Sequence, residues 1–185
     1  CRLIFGLDRI TGGELLLESN QVRDHRPWNA LSQGICYLPE NRHLEGIIPA
    51  RSVKENISLP ILQHLVSASG FIKDAHERDV VSTQVEQLDI RTPSIDQLVQ
   101  YLSGGNQQKV VVGKLLATEP KVLLLDEPTQ GIDIGSKAEI HRLIDELARK
   151  GIGIILISSE LDELTSLCDR ILVLHEGEIA SELSA

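Results

Sequence analysis

Two short stretches bring together residue types able to handle a polyphosphate. At residues 102–109 the chain reads Leu-Ser-Gly-Gly-Asn-Gln-Gln-Lys. Ser103 stands where it can cap the helix that follows, and Gly104 and Gly105 carry no side chain to keep a ligand from the backbone. The first N–H groups of such a helix are unpaired and lie at its positive end, which favours a phosphate. At residues 121–129 the chain reads Lys-Val-Leu-Leu-Leu-Asp-Glu-Pro-Thr. A carboxylate at Asp126 suits Mg2+ held through water, and one at Glu127 suits orienting or deprotonating an attacking water. Each stretch alone has an ordinary alternative, a glycine turn at a helix start or a solvated acidic pair at a strand end. Their order, one helix apart, favours the chemistry.

The elements that must position these residues follow from periodicity. Residues 122–125 form a continuous apolar run, which predicts a parallel strand covered on both faces. Asp126 and Glu127 then fall at its carboxyl end, where open α/β sheets place their ligands. Residues 103–117 are the preceding helix. Residues 136–150 predict an amphipathic helix, with Ile140, Leu143, Ile144 and Leu147 at i, i+3, i+4 and i+7. Residues 152–157 read as the next buried strand, after which Ser158 or Ser159 can cap a helix carrying Leu161, Leu164 and Leu167. Upstream, residues 35–38 are a short buried strand, residues 14–21 a strand pair, and Pro27 opens a short helix ending before Gly34. Residues 51–100 change to helical patterns broken by Pro60, Gly70 and Pro93, with Val80, Val81, Val85 and Leu88 on one stripe. Glu176-Gly177 is a hairpin turn between residues 171–175 and 178–180. Strand–helix alternation of this kind predicts an α/β fold with a parallel sheet.

A chain of 185 residues, 42% hydrophobic, suits one domain with a substantial core. The formal net charge of −9 argues against a broad nucleic-acid surface. Three cysteines without metal spacing (Cys1, Cys36, Cys168) fit a reducing cytosol and packing roles. No apolar run approaches the ~18 residues of a membrane span. The sequence contains no methionine and opens on what reads as the tail of a helix closing at Gly6. The phosphate loop G-x-x-x-x-G-K-[ST] occurs nowhere in it. A trimmed domain is the expectation.

Three motifs carry a resemblance over nearly the whole chain: Pro39-Glu40-Asn41-Arg42, the Leu-Ser-Gly-Gly-Asn-Gln-Gln-Lys stretch, and Glu127-Pro-Thr-Gln-Gly-Ile-Asp133. Together they resemble the signature and Walker B regions of ABC-type ATPases, in particular the second nucleotide-binding half of tandem sugar-import ATPases serving ribose, galactose, arabinose or xylose. The resemblance implies a P-loop NTPase-like (RecA-like) parallel sheet at about 1–50 and 101–185, lacking its N-terminal strands and phosphate loop. A helical subdomain at about 51–100 would be inserted into it. It implies ATP and Mg2+ as ligands, and two halves of one polypeptide meeting head to tail. It also implies transmembrane permease subunits, an indirect link to a periplasmic sugar-binding protein, no nucleic acid, and a cytoplasmic place on the inner face of the plasma membrane. Carried over by motif, Ser103, Gly104 and Gly105 would contact the γ-phosphate held by the other half. Asp126 would serve Mg2+, Glu127 the water, and Asp133 would lie in the loop crossing the interface. Gln107 and Lys109 would support the signature helix, and residues 42–59 would face the permease.

Two positions depart from the family pattern. Glu40 stands where a glutamine usually contacts Mg2+ or the attacking water, and Ser159 where a histidine usually contacts the γ-phosphate. A missing imidazole weakens stabilisation of transition-state charge, and an added carboxylate near phosphates repels them. Both changes bear on the site this half would build for itself. The expectation is an asymmetric machine, with a weak or inert site here and an active one completed by the Ser103 turn. A non-catalytic nucleotide-binding or regulatory half, and a non-transport ABC ATPase, are the competing readings.

Other residues read as ordinary. The six histidines (His25, His43, His64, His76, His141, His175) lack paired ligand spacing, and His141 is expected on a solvated helix face. Trp28 is expected to pack against the sheet edge, with a nucleotide base as the alternative partner. The acids Glu160, Asp162 and Glu163 suit a helix first turn.

Overall fold

The computed structural model describes residues 1–22, 26–67 and 70–184, so His25 lies outside the described residues. Helix α1 (Arg2–Phe5) closes on Gly6, whose φ of 88° is the left-handed cap that only glycine adopts freely. A two-residue hairpin, β1 (Leu16–Leu17) and β2 (Asn20–Gln21), leads to α2 (Pro27–Ser32), opened by its proline. Strand β3 (Ile35–Leu38) is buried at every residue. A π-helical turn at Arg42–Gly46 then leads to α3 (Val53–Ser58), which carries a complete Ser52/Glu55 capping box. Helices α4 (Leu62–Leu65) and α5 (Asp74–Gln87) complete the helical stretch.

The longer elements follow. They are α6 (Gly104–Leu116), β4 (Val122–Asp126), α7 (Ile134–Arg149), β5 (Gly153–Ile157) and α8 (Leu161–Leu167). Strands β3, β4 and β5 form a parallel sheet in that spatial order, so the acid-bearing strand is central. Strands β6 (Arg170–His175) and β7 (Glu178–Ser184) pair antiparallel across Glu176-Gly177. Both turn residues have positive φ, 49° and 84°, as a tight two-residue hairpin requires.

One apolar core runs from the sheet into the helical stretch. Cys36, Leu38, Leu123 and Leu125 join Val53, Ile57, Val81 and Leu88 in it, with Val110, Val111 and Val112 of α6 also buried there. Gly113 lets α6 approach closely: a Cβ there would meet Leu88 Cδ1 at 3.1 Å and Ile57 Cδ1 at 3.4 Å. Within α5, Val81 and Leu88 are buried and Val85 packs beside them, while Val80 lies outside this core. Ile140, Ile144 and Leu147 of α7 are buried with Leu143 beside them.

Two packing expectations are corrected. Strand β5 is not buried: Ile154 and Leu156 pack on the core, but Ile155 and Ile157 on the opposite face are exposed. On that face Ile4, Phe5 and Ala30 of α1 and α2 pack over Ile35, Tyr37 and Leu124 of β3 and β4, and β5 lies beyond them at the end of the sheet. Trp28 is 57% exposed and does not pack fully against the sheet.

Candidate functional site

Asp126 ends β4 and Glu127 follows it, between the ends of β3 and β5. The Tyr37 hydroxyl, from β3, donates to Asp126 Oδ2 at 2.9 Å. Burial, and then the Asp126 carboxylate, push the Tyr37 phenol above its ordinary pKa, so it stays a donor. One carboxylate oxygen of Asp126 is thus oriented, and a carboxylate held in this way could bind a hydrated cation. This suits Mg2+, which takes one or two protein carboxylates and completes its shell with water and phosphate oxygens.

Glu127 adopts φ +48°, the left-handed region, at a cost of roughly 1–2 kcal/mol for a residue with a side chain. Its N–H donates to Ile157 O at 2.9 Å, continuing the β4–β5 pairing through the kink. Strained backbone of this sort concentrates where a side chain must be aimed. Glu127 Oε2 accepts from Ser159 Oγ at 3.2 Å, so two separately chosen positions meet. Glu40 Oε1 accepts from Gln130 Nε2 at 3.2 Å, which draws the post-β3 loop toward the segment after Glu127.

The signature turn has a different internal logic from the one expected. Ser103 occupies the N-cap position of α6 with φ −61° and ψ 156°, yet its side chain makes no cap bond. Its Oγ instead accepts from Asn106 Nδ2 at 2.8 Å. The protein's own packing demands a glycine at 105 and crowds position 104. A Cβ on Gly105 would lie 2.1 Å from Ser136 Oγ and 2.5 Å from Ser136 Cβ. A Cβ on Gly104 would lie 3.0 Å from Arg42 Nη2 and 3.4 Å from Gly131 O. Gln107 Nε2 donates to Val99 O at 3.2 Å, while Lys109 Nζ donates to Asp89 O at 2.9 Å and pairs with Glu139 at 2.8 Å. Both brace α6.

Asp133 is the N-cap of α7, which starts two residues earlier than its apolar pattern suggests. Its Oδ1 accepts the Ser136 N–H at 3.0 Å and its Oδ2 the Ser136 hydroxyl at 2.7 Å. These bonds hold the Asp133 carboxyl below its ordinary value of 3.8. With both oxygens engaged, Asp133 shapes the loop through its cap.

Sequence reasoning missed three contributors. Tyr37 reads as one more apolar strand residue. Arg42 is buried and reaches the carbonyls of Gln130 and Gly131. Glu163 is buried, accepting from Thr129 Oγ1 at 3.0 Å and from His141 Nε2 at 2.6 Å on the same oxygen. His141 is therefore not on a solvated face, and Glu163 is not simply a first-turn charge. Only the placement of Glu163 at i+3 from Glu160, toward the apolar stripe, could have signalled it.

A cavity of about 400 Å3 lies elsewhere, lined by Leu17, Glu18, Lys121 and neighbours, and shares no residue with the acid pair or the signature turn. Among the described residues no group of three or more His, Cys, Asp or Glu is placed to hold a metal unaided.

With this arrangement in hand, the family model described as ABC transporter matches residues 1–130. The chain belongs to the ABC transporter family. This ABC domain is 46% identical over 183 residues to the ribose import ATP-binding protein RbsA of Caldanaerobacter subterraneus subsp. tengcongensis, covering 99% of this chain and 37% of that protein. It is 44% identical over 180 residues to the arabinose import ATP-binding protein AraG of Pectobacterium atrosepticum, covering 97% and 36%. The chain thus spans little more than a third of the length of these relatives. Among solved structures, a dimeric ATP-binding cassette in a post-hydrolysis state with ADP and Pi superposes with a TM-score of 0.81 at 22% identity, covering 99% of this chain and 78% of that one. CbiO1 from Clostridium perfringens superposes at 0.78 with 23% identity, covering 98% and 69%. These likenesses establish the fold, a P-loop NTPase-like α/β domain with a parallel sheet. Among the described residues no helix is long and apolar enough to cross a membrane.

Proposed function

We propose that this domain is one nucleotide-binding half of an ATP-hydrolysing subunit that energises sugar import, with residues 51–100 as its helical subdomain. The observation that carries the reading is the acid pair at the carboxyl end of the central strand, with Asp126 oriented by Tyr37 and Glu127 held in a left-handed kink. Asp126 would hold Mg2+, which neutralises phosphate charge when bound, and Glu127 would orient the attacking water. Ser103, Gly104 and Gly105 would complete the ATP site of the other half. The uncovered edge and face of β5 leave room for a further strand of the same protein. The ribose and arabinose relatives support a monosaccharide as cargo, a permease and a sugar-binding protein as partners, and a position on the inner membrane face.

The site this half builds for itself is the weaker one. Ser159 gives Glu127 a hydroxyl where an imidazole would supply a stronger donor, and Glu40 adds negative charge beside the same loop. The test is ATP hydrolysis by the full-length protein with its permease in vesicles. Mg2+-dependent turnover that rises with the loaded sugar-binding protein is expected. ATP binding without turnover would instead support a non-catalytic role.

A further inference from the structure

Arg42 is used by none of the steps above, yet it is a buried cation beside them, 9% exposed. It begins the π-helical turn Arg42–Gly46, which Asn41 caps by accepting the Leu44 N–H at 3.2 Å. The turn is fixed on α6: Lys114 Nζ donates to Gly46 O at 3.0 Å, and Val111 packs against Gly46. From this base the guanidinium reaches across to the loop after Glu127. Nη1 donates to Gln130 O at 2.7 Å and Nη2 to Gly131 O at 3.0 Å. Among the described residues Nε is buried without a partner, and burial lowers the Arg42 pKa.

A buried cation held only by carbonyls is a costly way to fill space, and an apolar side chain would do so without that cost. What arginine alone supplies is a planar fork able to hold two successive carbonyls at once. The held carbonyls belong to the loop that leads into the Asp133 cap. The same guanidinium also lies against Gly104, close enough that a Cβ there would be 3.0 Å from Nη2. Gly131 sits at φ +68°, and a Cβ there would lie 3.6 Å from Nη1 and 3.7 Å from Nη2. Arg42 thus touches both the loop of residues 130–133 and the signature turn, and holds the loop by its backbone carbonyls.

We propose that Arg42 is a positioning residue: its two-pronged grip sets the loop of residues 130–133 against the Ser103–Gly105 turn and so governs turnover at the composite ATP site without touching nucleotide. The grip itself stands on this geometry. Its consequence for turnover rests on the ATP-hydrolysing reading above, so the two are read separately. In the nucleotide-free full-length protein, amide exchange in peptides covering residues 127–136 is compared for wild type, Arg42→Lys and Arg42→Met. Exchange is expected to accelerate about tenfold or more in Arg42→Met, with Arg42→Lys intermediate because an ammonium cannot fork to both carbonyls. Steady-state kinetics should show kcat lowered about tenfold or more with KM changed less than about twofold. Arg42→Lys keeps the charge, so it decides the matter if Arg42→Met does not fold. Unchanged exchange in folded variants overturns the proposal, as does a raised KM with unchanged kcat, which would make Arg42 a nucleotide ligand. A wild-type protein without turnover would sink the ATP-hydrolysing reading while exchange still decides the grip.

Discussion

The hydroxyl of Ser159 donates to Oε2 of Glu127 at 3.2 Å, joining the end of β5 to the acid that follows β4. A serine hydroxyl is short, neutral and already engaged, so it offers little to a developing phosphate charge. Glu40, held by Gln130 at 3.2 Å, adds a second carboxylate to the same side of the domain. The account therefore predicts a gain of activity. In full-length protein whose other half carries a neutralised catalytic glutamate, the pair Glu40→Gln with Ser159→His should raise residual ATP turnover by about tenfold or more, since one well-placed donor contributes roughly 10²–10³. No rise would mean that the weakness of this site lies elsewhere.

The signature glycines should be sensitive for a packing reason. Gly105→Ala places a Cβ 2.1 Å from Ser136 Oγ and 2.5 Å from its Cβ, so rotating the hydroxyl away does not relieve it. A loss of about 1–3 kcal/mol in urea unfolding is expected, typical of overpacking. Removing the opposing atoms with Ser136→Gly should shrink that penalty by about 1 kcal/mol or more, as contacting residues are not additive. Additive penalties would show that the contact is not the cause.

Glu163 ties Thr129, two residues beyond Glu127, to His141 of α7. Glu163→Ala removes a buried acceptor shared by two donors and should cost about 2–4 kcal/mol in equilibrium unfolding. His141→Ala, which leaves the Thr129 bond in place, should cost less. The reverse order would contradict the shared-acceptor arrangement.

The Asp133 cap carries a pH signature. Its folded-state pKa is depressed below 3.8, so its stabilisation is fully present above that value and is lost as pH falls through the lower folded value. Thermal melting of wild type against Asp133→Ala should show a lower Tm for the variant at neutral pH. That difference should narrow below pH 3.8. A difference constant through the acid range would place the cap's effect in geometry alone.

Much of this was legible because apolar period survives in sequence. The run ending at Asp126 marked β4, and Ile140, Ile144 and Leu147 marked α7. What was not legible depends on contacts distant in sequence. The start of α7 was misplaced because Ile134 and Gly135 continue no apolar stripe, and the Asp133–Ser136 cap that starts the helix looks like loop chemistry. Strand β5 carries the same apolar run as β4, but only the sheet order reveals that it lies at the end. Arg42 and Glu163 are charged residues in polar surroundings of sequence, and their burial appears only once residues 130–131 and His141 are folded against them. The sequence offers a phosphate as the reason for the signature glycines, while the structure shows a packing reason at Gly105, the side chain of Ser136.

The central claim, that this half lends its signature turn to an active site while its own site is weak, is met most directly by steady-state ATP hydrolysis of full-length protein carrying Glu127→Gln or, separately, Ser103→Arg. The account predicts that Glu127→Gln keeps most of the wild-type turnover and that Ser103→Arg abolishes it. Loss of most turnover in Glu127→Gln, or wild-type turnover in Ser103→Arg, would contradict it.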